Sequence, residues 1–146
     1  MNQLPEKSVR QWGMWCHLSA ILSIVISTLL FIPFLGVLVP YFVWRVGRDR
    51  HPFIDVQGRE VINFQLSMSI YFVVAIILWV FLAFSTCAAT ASNTAALTNS
   101  LSAIAILGVV MVALFAIFQV CVCSVAAIKA YGGQSYRYPF ALRFLQ

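Results

Sequence analysis

The segment HPFIDVQGREVINFQ, residues 51–65, decides the fold because it is the dense polar stretch between two long hydrophobic blocks. Before it, no charged residue lies between Arg10 and Arg45, a gap of 34 residues, and after it none lies between Glu60 and Lys129, a gap of 68. An ionised side chain at the centre of a bilayer costs about 2.5–3.5 kcal/mol. The two gaps are therefore where lipid is expected, and the sequence predicts a polytopic membrane protein.

The composition points the same way, since 62% of the 146 residues are hydrophobic and only 9% are charged. Soluble domains usually carry about 25% charged residues. The length predicts a single membrane domain, residues 1–146. The net charge of +5 does not indicate nucleic-acid binding, because the nine Lys and Arg residues flank the hydrophobic blocks in short clusters rather than forming a basic stripe. There they anchor the chain and attract anionic lipid on the cytoplasmic side, at about 1 kcal/mol per residue.

The predicted fold is an all-α membrane protein, a four-helix transmembrane bundle with a short second helix and an interfacial C-terminal tail. The spans are placed at about 12–32, 36–47, 59–84 and 101–130. The first makes about 32 Å of helix, enough to cross a bilayer core of about 30 Å. The second is short and contains Pro40. A short crossing is the preferred interpretation of this span, and a re-entrant hairpin with the first helix is the alternative.

Charge placement predicts the orientation of the chain. With these spans, the amino terminus, the loop 48–58 and the tail 131–146 share one side, and all nine Lys and Arg residues lie there. The positive-inside rule makes that side cytoplasmic, which predicts a multi-pass membrane protein with both termini in the cytoplasm. The uncharged segment 85–100 is predicted to be a flexible outer loop. Alternating aromatics predict that the tail is an extended strip on the membrane surface, with a short interfacial helix as the alternative.

Three motifs carry a resemblance to a known family. They are WGMWCHLS at 12–19, PFID at 52–55 with EVINFQ at 60–65, and AAIKA at 126–130 followed by Gly133 and YRYP at 136–139. The chain resembles a widespread bacterial family of small four-span membrane proteins of uncharacterised function, distantly similar to the small multispanning subunit of the chloroplast inner-envelope protein translocon. The resemblance covers about residues 8–146, although the segment 85–100 is longer than is usual for the family. It implies an architecture and a location in the bacterial inner membrane but no activity, and its motif positions are Pro52, Phe53, Asp55, Tyr136, Tyr138 and Pro139.

Five polar side chains lie in or beside the spans and form a candidate polar cluster: His17, Glu60, Asn63, Gln65 and Gln119. The preferred interpretation is hydrogen bonding between helices, at about 0.6–2 kcal/mol per bond, with Ser23 or Ser27 as a partner for Gln119. The functional alternative is a hydrophilic groove, open to the cytoplasm, that holds part of a client helix or a lipid headgroup.

Small residues recur at helical spacing on two spans and predict two packing seams. The first seam is Cys16, Ser19, Ser23 and Ser27, and the second is Ala116, Cys123 and Ala127. Because Cys121 and Cys123 are two residues apart, they point to different faces of a helix and cannot close a zinc site alone. The cysteines are interpreted as small packing residues. The carboxylates lie among arginines, which predicts ion pairs rather than a metal site or an acid pair.

Three functions remain as hypotheses, and no catalytic residue, cofactor or metal is predicted for any of them, because no motif for them is present. The first is a non-catalytic accessory subunit or assembly factor that packs its seams against a partner membrane protein. The second, drawn from the resemblance, is a translocon-like component that contacts polypeptides during membrane transport or insertion. The third is a small-solute transporter or channel, which requires a homo-oligomer because four short helices enclose little space.

Overall fold

The computed structural model describes residues 6–30, 32 and 34–145, and within these ranges the chain is helical, without strands. Its four α-helices are α1 (Glu6–Leu30), α2 (Leu35–Gly47), α3 (Pro52–Thr90) and α4 (Thr94–Tyr131), with a 3₁₀ turn at Arg48–Arg50 between α2 and α3. The all-α class is confirmed. Three helices, α1, α3 and α4, are long and apolar enough to cross a membrane. The remaining helix, α2, has 13 residues, about 20 Å of helix, which is shorter than a bilayer core.

The helices begin earlier than predicted, and α3 shows why. Its N-cap is His51, whose side chain accepts a hydrogen bond from the Phe53 backbone N–H at 3.1 Å. Pro52 follows in the first turn, where a missing N–H costs nothing, and Asp55 places a carboxylate near the positive end of the helix. The predicted loop 48–58 is therefore a 3₁₀ turn followed directly by helix.

The predicted flexible loop 85–100 is wrong, because the structure continues both helices through it and leaves only residues 91–93 as a turn. Alanine has the highest helix propensity, and Asn93 caps α4 by accepting a hydrogen bond from the Ala96 N–H at 3.1 Å. The hydroxyls of this region bond to the carbonyl four residues earlier, as seen at Ser85, Thr86, Thr90, Thr98 and Ser102. Because these hydroxyls bond to carbonyls of their own helix, their hydrogen bonds are made without interrupting the helical backbone.

Two helical hairpins of unequal length stand side by side. Gly13 of α1 lies against Phe53 and Ala130, and Gly47 of α2 lies against Trp12. We call this end of the molecule the base and the turn at 91–93 the apex. Both α3 and α4 run for about 57 Å, so they extend far beyond α1 and α2. The buried residues of α3 accordingly end at Ser69, and most of the buried residues of α4 begin at Gln119.

Close helix contacts near the base depend on small residues. Cys16, Ser19 and Ser23 of the first predicted seam are buried, as are Cys123 and Ala127 of the second, whereas Ser27 and Ala116 are half-buried. Helix α1 packs mainly against α4, so most residues of the two seams already contact another helix of the same chain.

The C-terminal tail is non-helical and packs against the helices, and its predicted place on the membrane surface stays a prediction. It leaves α4 at Gly133, whose φ of +77° suits glycine, and returns along α3 towards the middle of the molecule. Tyr138 is buried, and the chain then turns at Phe140, which has a φ of +61°. Polar side chains of α3 supply hydrogen bonds to the irregular backbone of the tail, and these bonds hold it beside α3.

Candidate functional site

The centre of the polar interior is His17, which is fully buried in α1 and bonded on both ring nitrogens. Its Nδ1 lies 2.8 Å from the Tyr138 hydroxyl of the tail. Its Nε2 lies 2.8 Å from Oε1 of Gln57, one turn into α3. The histidine thus joins α1, α3 and the tail at one point.

The bonding pattern assigns the proton on the ring. A carbonyl oxygen such as Gln57 Oε1 can only accept, so His17 Nε2 carries the hydrogen and donates it. The other nitrogen, Nδ1, is then the acceptor, and the Tyr138 hydroxyl donates to it. A neutral imidazole used on both sides is a structural junction, with neither nitrogen left for a substrate.

Tyr138 is held by more than this bond. Its ring stacks on Phe64 with 4.2 Å between centroids, and its hydroxyl lies 3.7 Å from Sγ of Cys123 on α4. Burial raises the pKa of the Tyr138 hydroxyl well above its ordinary value, since the phenolate would lose its hydration. The hydroxyl therefore stays protonated, as a donor to histidine requires.

Tyr138→Phe removes the hydrogen bond to His17, together with the longer contact to Cys123 Sγ, and preserves the stacking on Phe64. We expect a loss of about 1–3 kcal/mol in unfolding free energy, the cost of leaving the Nδ1 of His17 buried without a donor. Denaturant titration in lipid micelles measures it. The matched control is Tyr136→Phe, whose half-buried ring packs beside the Lys129 ammonium. Equal losses in the two variants would contradict the junction at His17.

A second polar group of α3 holds the end of the tail. The side chain of Asn63 accepts from the backbone N–H groups of Phe144 and Leu145, at 3.1 and 2.8 Å, and donates to the Leu145 carbonyl at 2.9 Å. Ser67 accepts from the Leu142 N–H at 2.7 Å, and the Tyr71 hydroxyl donates to the Phe140 carbonyl at 3.0 Å. These three residues lie on one face of α3, and we call them the tail cradle.

Glu60 lies one turn before the tail cradle and forms an ion pair with Arg143 of the tail at 3.5 Å. Its neighbour Asp55 is engaged differently: it accepts from the Trp44 indole at 2.9 Å and pairs with Arg59 at 2.6 Å. The ion pairs that the sequence suggested are therefore present, although the partner of Glu60 is in the tail.

Gln65 and Gln119 lie deeper, beside a small polar cavity between α1, α3 and α4. Its volume of about 30 Å³ is lined by both amides together with Ser27 and Ser69. This is room for about one water molecule with several polar partners. The serines named as partners for Gln119 bond instead to carbonyls of their own helix, Ser23 to Ser19 and Ser27 to Ile24.

The five residues of the predicted polar cluster thus fall into three places. His17 forms the junction, Glu60 and Asn63 hold the tail, and Gln65 and Gln119 face the small cavity. Sequence reasoning did not find Gln57 or Tyr71, nor Tyr138 as the partner of histidine. The helical spacing of Glu60, Asn63 and Ser67 was visible in the sequence, but nothing in it identified the tail as their ligand.

The model of the magnetosome magnetite crystal formation protein family, MamF_MmsF, matches residues 8–145. The chain belongs to this family. The matched residues include most of α1, all of α2, α3 and α4, and the residues of the junction and the tail cradle.

Membership establishes a small helical membrane protein of a bacterial family, as the resemblance implied, and it does not bear on the translocon similarity. No curated protein and no solved structure matches this MamF_MmsF member. Among its described residues, no three His, Cys, Asp or Glu side chains lie close enough together to hold a metal ion. Cys16, Cys87, Cys121 and Cys123 are all free thiols.

The family-motif residues have separate structural roles in this MamF_MmsF member. Pro52, Phe53 and Asp55 build the start of α3, where the Phe53 ring packs against Gly13. Tyr138 completes the junction with His17. The ring of Tyr136 packs edge-on against the ring of Tyr138, with centroids 5.3 Å apart. Pro139 precedes the turn of the tail at Phe140 and is itself exposed.

Proposed function

We propose that this chain takes part in magnetite crystal formation as a non-catalytic membrane protein, an accessory subunit or assembly factor of a larger membrane complex. The family match supports the process. The observation that carries the structural role is the junction at His17, because both ring nitrogens are engaged within the chain. The buried imidazole of His17 holds α1, α3 and the tail together, and neither of its ring nitrogens is free for proton transfer.

The composition of the apex supports an indirect part in the process. Iron ions in oxygen sites favour carboxylate ligands, and residues 61–128 contain none. The positive-inside rule places the base in the cytoplasm with both termini, so the apex faces the opposite compartment. An uncharged apex of hydroxyl and amide groups favours action through the membrane or through partner proteins over direct binding of iron.

The surface proposed for a partner is the upper part of α3 and α4. The seams cannot serve, because they are buried between α1 and α4 inside the chain. Phe81 and Phe84 are 71% and 74% exposed, above the level reached by α1 and α2. Aromatic side chains of this size contribute strongly to contacts with another membrane protein.

Complementation of a magnetite-forming bacterium that lacks this chain tests the proposal. We expect deletion to change the size or number of the crystals seen by electron microscopy, and the unaltered chain to restore them. Phe81→Ala with Phe84→Ala should fail to restore them, whereas Phe42→Ala on exposed α2 should succeed. Crystals unchanged by deletion would refute the proposed process, and full rescue by the double variant would remove the partner surface.

The tail cradle favours a second candidate function, contact with polypeptides in the membrane. Asn63 and Ser67 bind backbone groups rather than side chains, so the same cradle suits any extended segment. A photo-crosslinker at Tyr71, in a chain truncated after Gly133, should label translocating polypeptides if this function is present. Absence of crosslinks from the truncated chain would count against it. The transporter hypothesis gains no comparable support, since the polar cavity holds about one water molecule.

A further inference from the structure

The two turns at the far ends of the hairpins differ in chemistry. The apex, at residues 90–94, reads Thr-Ala-Ser-Asn-Thr, and its polar groups suit water. The turn between α1 and α2 lies in a stretch from Leu29 to Val39 that contains no polar side chain. Ile32 and Phe34 in this turn are each 50% exposed. A turn that reached water would present apolar groups there, whereas in hydrocarbon the same exposure is favourable.

The turn between α1 and α2 also stops far below the apex. At its α2 end, Gly36 lies beside Ser27 and Gln65. Helix α3 continues from Gln65 to Thr90, which adds about 37 Å. Measured from the base, only ten residues separate Arg45 from Leu35, about 15 Å of helix, or half of a 30 Å core.

The short length of α2, the level of its turn far below the apex, and the apolar composition of residues 29–39 together favour a turn inside the bilayer. Helix α1 is long enough to cross a bilayer, but its partner α2 is not. This favours the re-entrant alternative for 36–47 over the short crossing, with α1 and α2 entering from the base and returning to it while α3 and α4 cross. The tail adds a second re-entrant segment on the same side, because the cradle holds it beside α3.

The resulting cross-section is unequal between the two leaflets. Four helices and the tail occupy the base leaflet, and two helices occupy the apex leaflet. With a helix diameter of about 10 Å, the two additional helices alone take up roughly 160 Å² more of the base leaflet. An inclusion that widens one leaflet relieves packing stress where that leaflet is convex, because the lipids there are spread apart.

We propose that this protein is a membrane wedge that favours curved bilayers whose convex leaflet holds the base. This activity goes beyond the proposed part in crystal formation and requires only lipid. With the base in the cytoplasm, the protein concentrates where the membrane bulges towards the cytoplasm and stabilises such bulges. The partner surface on upper α3 and α4 is not used, so either proposal can fail without the other.

The depth of the hairpin is tested first, with spin labels on the full chain in liposomes. The half-buried Cys87 and the exposed Cys121 are replaced by alanine, and the buried Cys16 and Cys123 are retained. A label at Phe34→Cys should be reached by oxygen and not by a water-soluble nickel complex, whereas labels at Ser92→Cys and Gln134→Cys should be reached by the complex. Access of the complex to position 34 would overturn the re-entrant hairpin and the wedge with it.

Curvature preference is tested in narrow tethers pulled from giant vesicles, whose outer leaflet is convex. An impermeant dye on Gln134→Cys marks only molecules with the base outward, and the same dye on Ser92→Cys marks only those with the apex outward. We expect severalfold enrichment in the tether for the first population, rising as the tether narrows, and depletion for the second. Equal densities of the two populations, or enrichment of both, would overturn the wedge, since only a leaflet asymmetry reverses sign with orientation.

Discussion

Asn63→Ala is expected to free the end of the tail and to lower the unfolding free energy by about 2–4 kcal/mol. The substitution removes the acceptor for two backbone N–H groups, at Phe144 and Leu145, and the donor to the Leu145 carbonyl. Asn63 is buried, so bulk water does not replace these bonds at its side chain. Hydrogen–deuterium exchange of the C-terminal peptide should accelerate, and denaturant titration should show the loss of stability.

The matched control for this prediction is the same substitution at Asn93. Asn93 caps α4 at the apex, so Asn93→Ala removes one hydrogen bond and costs about 0.5–2 kcal/mol without touching the tail. Ser67→Ala should lie between the two, because it removes the single acceptor of the Leu142 N–H. Exchange of the tail amides that stays slow in Asn63→Ala would show that the cradle does not hold the tail.

Gly58→Ala is expected to destabilise the base by about 1–3 kcal/mol through overpacking. A Cβ at this position would overlap Cδ1 of Trp44 and lie 2.6 Å from its Cγ. The indole cannot withdraw easily, because its Nε1–H donates to Asp55 at 2.9 Å and it is buried against α3. Thermal unfolding in detergent, followed by tryptophan fluorescence, measures the effect.

Gly36→Ala is the control for this steric argument. The nearest atoms to a Cβ there are the Ser27 hydroxyl at 3.5 Å and Gln65 Oε1 at 3.6 Å, which are ordinary contacts. Alanine is favoured over glycine inside a helix by up to about 1 kcal/mol, so this variant should match or exceed the unaltered chain. A Gly58→Ala protein as stable as Gly36→Ala would show that α2 and α3 can separate without cost.

Helix boundaries show one limit of reading the sequence. The segment 85–100 was interpreted as a loop because it is polar, yet its alanines favour helix and its hydroxyls bond back to their own helix. The signal at Asn93, a helix cap placed three residues before Ala96, was available in the sequence. Polarity alone therefore predicted the wrong backbone conformation.

The polar residues show a second limit. Helical spacing placed Glu60, Asn63 and Ser67 on one face of α3, and the structure has them on one face. What they bind could not be read, because the alternation in the tail matched a membrane-surface strip equally well. Only the fold brings Tyr138 to His17, across 121 positions of the chain.

By itself, the sequence determined that the chain is a helical membrane protein and which end of it carries the charge. These properties follow from transfer costs and helix propensities, which act residue by residue and add along the chain. Only the tertiary structure decided the partners of His17, the course of the tail and the level on α3 that the turn between α1 and α2 lies against. Those depend on which surfaces meet in space, since a hydrogen bond or a close glycine contact is defined by two segments at once.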